Sequence, residues 1–309
     1  MAEQPDKRSS VEVRATVSPS GERVSGSAER VAGSRDRKAR RSRRLPADLQ
    51  GKVVLITGAN SGIGYFTAKA LATARCLVAG LDIAIENLQV LAQSMPERVL
   101  ALRCDVTGEE QVTAACESVA ARWGRIDVLV NNACVSLYQP FEQRTPQSFA
   151  HEIDVNYLGY VRMIQAVLPY MKRQGHGLIH NVSSGIGITG FGGASGYAAT
   201  KGAIEGFTRS LALELEKYGI VCNLVHPPLV NTVSTKPLGL PQELMAKAED
   251  VGWKIAKRML CTRPVVTPDF RTAAFLIVAR MFPAATGRLL SRMTAQARSR
   301  RESGPARAP

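Results

Sequence analysis

From Gly51 onward, the chain alternates short apolar runs with longer amphipathic stretches. Each apolar run is rich in β-branched residues and continuously hydrophobic, as expected for parallel strands covered by helices on both faces. The candidate strands are Lys52–Ile56, Cys76–Leu81, Val99–Arg103, Ile126–Val130, Leu178–Val182 and Val221–Val225. The intervening stretches predict helices near residues 62–74, 84–94, 109–122, 146–172 and 196–218. This order predicts an α/β fold with one doubly wound, mostly parallel sheet.

Polar or glycine-rich segments follow five consecutive predicted strands. They are Thr57–Gly64, Asp82, Asp105, Asn131–Asn132 and Ser183–Ser184. The sixth strand is followed by His226–Thr232 and then by a Pro- and Leu-rich segment in which we expect no further strand. Because ligands of a doubly wound sheet bind at the carboxyl ends of its strands, we expect these segments to form one site.

The segment after the first strand, Thr57–Gly64, reads TGANSGIG and opens a helix. Its glycines let the backbone approach a pyrophosphate, whose charge is favourable at a helix N-terminus. The GxxxGxG spacing is a variant of the dinucleotide-binding fingerprint. A tight strand-to-helix connection is the alternative interpretation, but the position after the first strand favours phosphate binding.

Asp82 ends the second strand, where a carboxylate can accept hydrogen bonds from ribose hydroxyls and repel a 2′-phosphate. A helix N-cap is the alternative role for this side chain. Asn60, Ser61 and Ile83 are the neighbouring positions at which a Lys or Arg could receive a 2′-phosphate, and none of them is basic. The sequence therefore favours NAD over NADP.

Tyr197 and Lys201 are four residues apart, so on a helix they lie one turn apart on the same face. A Tyr that exchanges protons near neutral pH needs a pKa of about 7 instead of about 10, and a nearby cation in a dry site can supply that shift. The YxxxK spacing arises easily by chance, and a surface pair is the alternative. Its place after the fifth strand, thirteen residues beyond Ser184, favours the chemical role.

The ordered motifs resemble the short-chain dehydrogenase/reductase family in its single-domain Rossmann form. The likeness covers about residues 50–232. The motifs are TGANSGIG at 57–64, CDV at 104–106, NNA at 131–133, DVNYLG at 154–159, NVSS at 181–184 and YAATK at 197–201. Each motif alone is weak, and the ordered set is specific.

The resemblance implies a catalytic tetrad. Tyr197 would give or take the substrate proton, and Lys201 would lower its pKa and hold the nicotinamide ribose. Ser184 would donate a hydrogen bond to the substrate oxygen, and Asn156 would anchor a water connecting Lys201 to solvent. Ser183 could replace Ser184 as the donor, although the spacing to Tyr197 favours Ser184. Asn156 could instead cap or brace a helix.

The resemblance also implies a set of cofactor contacts. Asp105 resembles the adenine contact, Asn131 belongs to the segment beside the adenosine ribose, and Val230 with Thr232 resembles the carboxamide contacts. The complete implied set is Gly58, Asn60, Ser61, Gly62, Ile63, Gly64, Asp82, Asp105, Val106, Asn131, Tyr197, Lys201, Val230 and Thr232. Two residues depart from the family pattern. Cys134 replaces the Gly of NNAG, and Pro228 replaces the Gly of the Pro-Gly that follows the sixth strand.

The net charge of +14 is concentrated at the two ends of the 309-residue chain. Residues 1–45 hold twelve Lys/Arg against six Asp/Glu, and residues 288–309 hold six Arg against one Glu, which leaves +3 for the rest. We expect a disordered basic extension over 1–45, a catalytic domain over 46–287 with a lid-like segment at about 232–263, and a basic tail over 288–309. A near-neutral middle predicts no nucleic-acid groove.

The sequence disfavours a membrane-spanning protein, a secreted protein and a metal-binding protein. No apolar run reaches the ~18 residues of a membrane helix, and the N-terminus has no signal-peptide core. The six cysteines form no metal-binding spacing, so we expect reduced thiols, no metal and a cytoplasmic location. The segments Asp269–Pro283 and Gly287–Met293 are apolar and are interrupted by single basic residues, which is typical of a helix on a membrane surface. A core helix with a solvated or dimer-facing tail is the alternative.

The sequence therefore predicts an oxidoreductase that transfers a hydride between NAD and a lipophilic secondary alcohol or ketone of the steroid, retinoid or long-chain type. A 3-oxoacyl-thioester reductase and a catalytically idle Rossmann binding module are the alternatives. The expected partner is a small-molecule substrate. The resemblance implies a homodimer or homotetramer through the helices near 146–172 and 196–218.

Overall fold

Seven parallel strands form the central sheet of the computed structural model, which describes residues 45–238 and 240–302, with side chains up to residue 295. The strand order is β3-β2-β1-β4-β5-β6-β9. The strands are β1 (Val53–Thr57), β2 (Leu77–Asp82), β3 (Val99–Arg103), β4 (Val128–Asn131), β5 (Gly177–Val182), β6 (Ile220–Val225) and β9 (Val265–Val266), while β7 (Val230–Asn231) and β8 (Ala246–Lys247) form a separate pair. The predicted doubly wound α/β fold is confirmed, with all six predicted strands present within two residues of their expected ends.

Helices cover both faces of this sheet. They are α1 (Gly62–Thr73), α2 (Glu86–Ser94), α3 (Glu109–Trp123), α4 (Pro146–Ile153), α5 (Gly159–Gln174), α6 (Ile186–Thr189), α7 (Ser195–Leu215), α8 (Ala248–Ala256), α9 (Phe270–Met281) and α10 (Pro283–Glu302). Alternate residues of β1 enter different cores: Val54 and Ile56 pack with α1, whereas Val53 and Leu55 pack with α3 and α5. The continuous hydrophobicity of β1 follows from this burial on both sides.

The helix predicted over 146–172 is interrupted. A π-helical turn, Asp154–Leu158, separates α4 from α5 and contains the buried Asn156. A π turn inserts one extra residue into the helix and shifts the following side chains around its axis. Hydrophobic periodicity could not indicate this break, because apolar residues continue on both sides of it.

The predicted lid-like segment, about 232–263, consists of two different parts. Its second part contains β8 and α8, and α8 packs against α1 so closely that a Cβ on Gly252 would lie 2.7 Å from the Cβ of Phe66. Val251 and Ala256 are fully buried in the same contact. The first part, near Val233–Leu238 and Leu244, lies along the edge of the site, where Ala246 of β8 and Lys254 of α8 also line the cavity.

The predicted domain boundary at 287 falls inside a helix. Residues 288–302, expected as a basic tail, continue α10, and its Gly287 approaches the carbonyl oxygen of Thr189. The Ser291 hydroxyl also accepts a hydrogen bond from the Gly192 amide at 2.9 Å. The extension predicted over 1–45 lies outside the described residues apart from Leu45, as do residues 303–309.

Among the described residues, no single helix is both long and apolar enough to cross a membrane. Helices α9 and α10 meet the length and composition requirements only as a pair, and they are bent by 115° at Phe282.

Buried thiols predict a loss of stability in alkali. Burial raises the pKa of Cys76, Cys116 and Cys222 from 9.0 to about 12. Above pH 9 the unfolded chain therefore binds fewer protons than the native protein, so the free energy of unfolding falls as the pH rises from 9 towards 12. Urea unfolding between about pH 8 and pH 11 measures this slope.

The variant carrying both Cys116→Ala and Cys222→Ala should show a shallower alkaline slope than the unmodified protein. Cys261→Ala removes a half-buried thiol and is the control. A double variant whose slope equals that of the parent protein would contradict the assignment to these thiols.

Candidate active site

A cavity of about 1050 Å³ lies at the carboxyl ends of the parallel strands. The carboxyl end of each of β1 to β5 contributes a residue to the cavity wall: Gly58, Asp82, Asp105, Asn132 and Ser184. The single site that we expected at these strand ends is therefore present in the fold. Helices α9 and α10 add Phe275 and Met293 to the wall, from beyond the part of the chain that carries the motifs.

The glycine-rich turn between β1 and α1 has no room for side chains. Gly58 has a φ of +63°, and a Cβ on it would lie 2.8 Å from the Cα of Ala133. A Cβ on Gly64 would lie 2.1 Å from the carbonyl oxygen of Gly58. This compact turn leaves Ser61 and Gly62 on the cavity wall at the N-terminus of α1, where backbone amides and the helix dipole favour a phosphate. The residues present thus fit a dinucleotide pyrophosphate.

Asp82 lies on the cavity wall and does not cap α2, whose N-cap position is Ile85. Its Oδ2 accepts a hydrogen bond from the Asn60 amide at 2.9 Å, which ties the carboxylate to the glycine-rich turn. The Asn60 side chain takes the capping role instead, because its Oδ1 accepts from the amides of Asn87 and Leu88. Asn60 is therefore a brace between the turn and α2, and the residue is not on the cavity wall.

Tyr197 and Lys201 lie one turn apart on α7, and both reach the cavity. The Lys201 Nζ lies 5.7 Å from the centroid of the Tyr197 ring. It donates to the carbonyl oxygen of Val182 at 2.8 Å and to the Tyr160 hydroxyl at 3.4 Å. These acceptors compensate an ammonium group whose side chain is only 1% exposed.

The two serines after β5 have different surroundings. Ser184 lies on the cavity wall, close enough to Tyr197 for its hydroxyl to oppose the rise of the phenol's pKa, as expected for a group that shares the substrate oxygen with the phenol. The Ser183 hydroxyl is buried and donates to the carbonyl oxygen of Lys201 at 3.4 Å. The geometry therefore favours Ser184 over Ser183 as the substrate contact, in agreement with the thirteen-residue spacing.

The pKa values differ from the sequence-based expectation. Burial raises the pKa of Tyr197 well above its usual 10.0, and burial lowers the pKa of Lys201. The expected lowering of the Tyr197 pKa towards neutrality is therefore not found in the protein alone, because the loss of solvent around the phenol outweighs the lowering effect of the Ser184 hydroxyl. Tyr197 keeps its proton, which suits a proton donor.

Cys134 belongs to the same cluster. Its thiol lies close enough to Lys201 and Tyr197 for both groups to oppose the rise of its pKa, and its Sγ lies 3.4 Å from the carbonyl oxygen of Val135. Burial still raises the pKa of this thiol, so it is neutral beside the phenol. The sequence marked Cys134 as a departure from the family pattern, but only the fold shows that its side chain lies near two of the four predicted catalytic residues.

Asn156 has a bracing role in this structure. Its Oδ1 accepts from the amide of Val135, and its Nδ2 donates to the carbonyl oxygen of Val135 and to the Thr200 hydroxyl. These three bonds join the π turn to the segment after Cys134 and to the residue before Lys201. Both side-chain protons of Asn156 are thereby used, so its side chain has no donor left for a water beside Lys201.

Asn131 lies inside the sheet instead of on the cavity wall. Its Nδ2 donates to the Oδ1 of Asn181 on β5, and the residue is fully buried. Asn132 and Ala133 reach the wall in its place. The Thr57 hydroxyl, which the sequence did not single out, accepts from the amides of both, and so holds the start of this segment against the glycine-rich turn.

The other predicted cofactor contacts line the cavity, except Gly64, which lies inside the compact turn. Ile63, Val106 and Val230 line it, and Thr232 approaches the phosphate turn so closely that a Cβ on Gly62 would lie 3.3 Å from its Cγ2. The sequence missed two residues near the phenol and the ammonium group. Tyr138 lines the cavity and meets the Tyr197 ring edge-on at 6.3 Å, and the buried Tyr160 accepts a hydrogen bond from Lys201.

Within the described part of the chain, no three His, Cys, Asp or Glu side chains come together in a way that could hold a metal ion.

Known proteins resemble this chain over much of its length. The family model of short chain dehydrogenases matches residues 52–243. The chain is 39% identical over 193 residues to the 3-oxoacyl-(acyl-carrier-protein) reductase FabG of Thermotoga maritima, covering 62% of this chain and 78% of that protein. It is 35% identical over 234 residues to the short-chain reductase protein NovJ of Streptomyces niveus, covering 75% of this chain and 88% of that protein.

A solved structure shows the same fold. The 3-ketoacyl-(acyl-carrier-protein) reductase from Brucella melitensis, complexed with NADH, matches with a TM-score of 0.65 and 29% identity. The match covers 71% of this chain and 95% of that chain.

Proposed function

This chain belongs to the short-chain dehydrogenase family, and we propose that it transfers a hydride between NAD and a lipophilic secondary alcohol or its ketone. One observation carries the proposal: Tyr197, Ser184 and Lys201 line one cavity together with the compact glycine-rich turn, and the Lys201 Nζ lies 5.7 Å from the centroid of the Tyr197 ring. A phenol, a hydroxyl donor and a cation beside a dinucleotide-sized cavity are the groups that carbonyl reduction requires.

Ser184, Tyr197 and Lys201 have different proposed roles in the proton transfer. When bound, the nicotinamide supplies a hydride to the carbonyl carbon or accepts one from the alcohol carbon. Ser184 donates a hydrogen bond to the substrate oxygen, and Tyr197 gives that oxygen its phenolic proton in reduction or takes the proton back in oxidation. Lys201, held by Val182 and Tyr160, stabilises the negative charge that proton donation leaves on Tyr197.

Asp82 supports the choice of NAD. Its carboxylate is fixed at the cavity wall by the Asn60 amide, where it repels a 2′-phosphate. We expect Asp82→Ser to lower the ratio of NADH affinity to NADPH affinity by at least about tenfold, or ~1.4 kcal/mol. Titration of both cofactors by fluorescence measures the two dissociation constants.

The matched control for this prediction is Glu86→Gln. Glu86 accepts a hydrogen bond from Asn60 at 3.3 Å but does not line the cavity. Its replacement should leave the cofactor preference unchanged. A tenfold or greater preference of the parent protein for NADPH would contradict the proposed role of Asp82.

The proposed lipophilic substrate rests on the apolar part of the cavity wall. This part of the wall includes Leu238, Leu240, Leu244, Phe275 and Met293. Such a wall stabilises an apolar ligand by removing its surface from water. A 3-oxoacyl thioester is the second candidate, because the Thermotoga and Brucella relatives are named as reductases of that substrate class.

We further propose a homodimer or homotetramer, and a peripheral membrane contact through the C-terminal helices. Phe270, Ile277 and Met281 are exposed on α9, and Leu289 is exposed on α10. No Asp or Glu occurs between Phe270 and Ala295, whereas Arg271, Arg280, Arg288 and Arg292 do. An apolar and basic surface of this kind favours an anionic lipid interface.

One experiment tests the proposed function against its alternatives. NADH and NADPH binding are measured first, and cofactor turnover is then followed with steroids, medium-chain ketones and 3-oxoacyl thioesters. Turnover of ketones or steroids with NADH supports the proposal, and turnover restricted to thioesters supports the second candidate. Cofactor binding without turnover on any substrate would refute both and support an idle binding module.

A further inference from the structure

A fully buried ion pair lies behind the catalytic tyrosine. The Arg144 Nη2 lies 2.6 Å from the Glu152 Oε2, and neither side chain is exposed. Arg144 also donates from Nε to the Ser148 hydroxyl at 3.1 Å, and its guanidinium group stacks 3.9 Å above the Phe149 ring. Burying an ion pair costs desolvation free energy, so the pair contributes little net stability. Its role is therefore sought in the segments that it holds in place.

One side of this pair contacts the helix that carries Tyr197. Gly196, the residue before Tyr197, is packed so closely against the pair that a Cβ on it would lie 2.1 Å from the Glu152 Oε2 and 2.5 Å from the Arg144 Nη1. Because these atoms belong to a buried ion pair, they cannot move away without breaking it. The first turn of α7 is therefore seated directly on the pair.

The other side of the pair holds the segment that follows Cys134. The Glu152 Oε1 accepts a hydrogen bond from the Leu137 amide at 2.9 Å. The next residue, Tyr138, places its ring edge-on against Tyr197, with 6.3 Å between the ring centroids. Glu152 thus holds two neighbours of the phenol at once: the backbone below it through Gly196, and the aromatic ring beside it through Leu137.

We propose that Arg144 and Glu152 are positioning residues that hold the Tyr197 phenol in place relative to Ser184 and the cavity. This inference deepens the proposed function and rests on it for the role of Tyr197. Neither side chain lines the cavity, so both act through Gly196 and Leu137 and not by touching the substrate. A displacement of the phenol by about 1 Å is enough to cost around a hundredfold in rate.

The first test compares two glycines on α7. Gly196→Ala should lower kcat by about tenfold to a hundredfold, with KM changed far less, because the new methyl group displaces the first turn of the helix. Gly206→Ala is the matched control, since a Cβ on Gly206 meets no atom within 4 Å. Equal kcat values for the two variants would overturn the proposal.

The second test separates positioning from general stability. Glu152→Gln keeps the shape of the side chain but leaves Arg144 without its carboxylate partner, and we expect it to lower kcat at least about tenfold. Asp127→Asn is the matched control, because Asp127 is also buried, also pairs with an arginine, Arg125, and lies away from the cavity. If both variants lower kcat only in proportion to their loss of stability, the role of Glu152 is merely structural.

A readout independent of turnover distinguishes failure of this inference from failure of the proposed function. The ζ-carbon NMR signal of labelled tyrosine reports the pKa of the Tyr197 phenol, with assignment by Tyr197→Phe. Loosening the contact between the ion pair and the first turn of α7 should admit water to the phenol. The raised pKa of Tyr197 should then return towards its usual 10.0 in Glu152→Gln but not in Asp127→Asn. A shifted pKa in a protein without turnover refutes the proposed function alone, and an unshifted pKa with unchanged kcat refutes the positioning role alone.

Discussion

Replacing Tyr197 by Phe is expected to lower turnover by about 10²- to 10⁴-fold while leaving the dissociation constant of NADH within about twofold. The substitution removes the phenolic hydroxyl near Ser184 and keeps the ring that packs against Tyr138. The loss should therefore appear in kcat, with folding unchanged. Initial rates at saturating substrate, together with NADH titration and thermal unfolding, measure the three quantities.

The control for this prediction is Tyr218→Phe. The Tyr218 ring contacts Lys172 and Lys217 and is not on the cavity wall. It should retain the parent rate. A turnover rate of Tyr197→Phe within tenfold of the parent rate would show that another group delivers the proton. That result would contradict the proposed mechanism.

Replacing Lys201 by Met is expected to lower kcat by a comparable factor and also to weaken NADH binding by about tenfold or more, because the family resemblance places the nicotinamide ribose on this ammonium group. Met retains much of the apolar stem of the side chain, so the packing of α7 is preserved. The joint loss of turnover and cofactor affinity distinguishes Lys201 from Tyr197. Lys217→Met, which removes a cation over the Tyr218 ring, is the control.

The pH dependence of reduction has a defined sign. Tyr197 must be protonated to act as the acid, and Lys201 must be protonated to stabilise the phenolate. Burial raises the pKa of Tyr197 and lowers the pKa of Lys201, so the alkaline limb is governed first by Lys201, and kcat falls as the pH rises towards 10. A reduction rate that increases through this range would contradict the assignment of Tyr197 as the proton donor.

The sequence predicts the sheet and the chemistry at its edge because both depend on local patterns. Apolar runs identify β1 to β6, and the glycine spacing of Gly58 and Gly64 identifies the phosphate turn. The sequence does not predict β9, because two residues, Val265 and Val266, are too few to form a pattern. It also misses the docking of α8 on α1, which depends on the absence of a side chain at Gly252.

The same limit explains the features of the site that the sequence does not predict. The side chains of Asn60 and Asn131 carry donors and acceptors suited to a cofactor, but these groups bond to α2 and to β5 in the structure, and nothing near them in sequence indicates that choice. The proximity of Cys134 to Tyr197 involves residues more than sixty positions apart. Burial of the phenol, which reverses the expected direction of its pKa shift, likewise becomes visible only when the surrounding elements are assembled.

The cavity wall combines two parts of the chain. The glycine-rich turn, Asp82 and Tyr197 lie inside the family match at 52–243, whereas Phe275 and Met293 belong to helices beyond it. Substitutions in α9 and α10 are therefore expected to alter which ligand is accepted. Phe275 is the exception, because its ring lies so near Gly185, the residue after Ser184, that a Cβ on Gly185 would approach it to 2.9 Å. For enzyme engineering, α9 and α10 form an exchangeable module: grafting them from a relative, with Phe275 retained, should transfer substrate preference while the proposed cofactor and catalytic residues remain those of this protein.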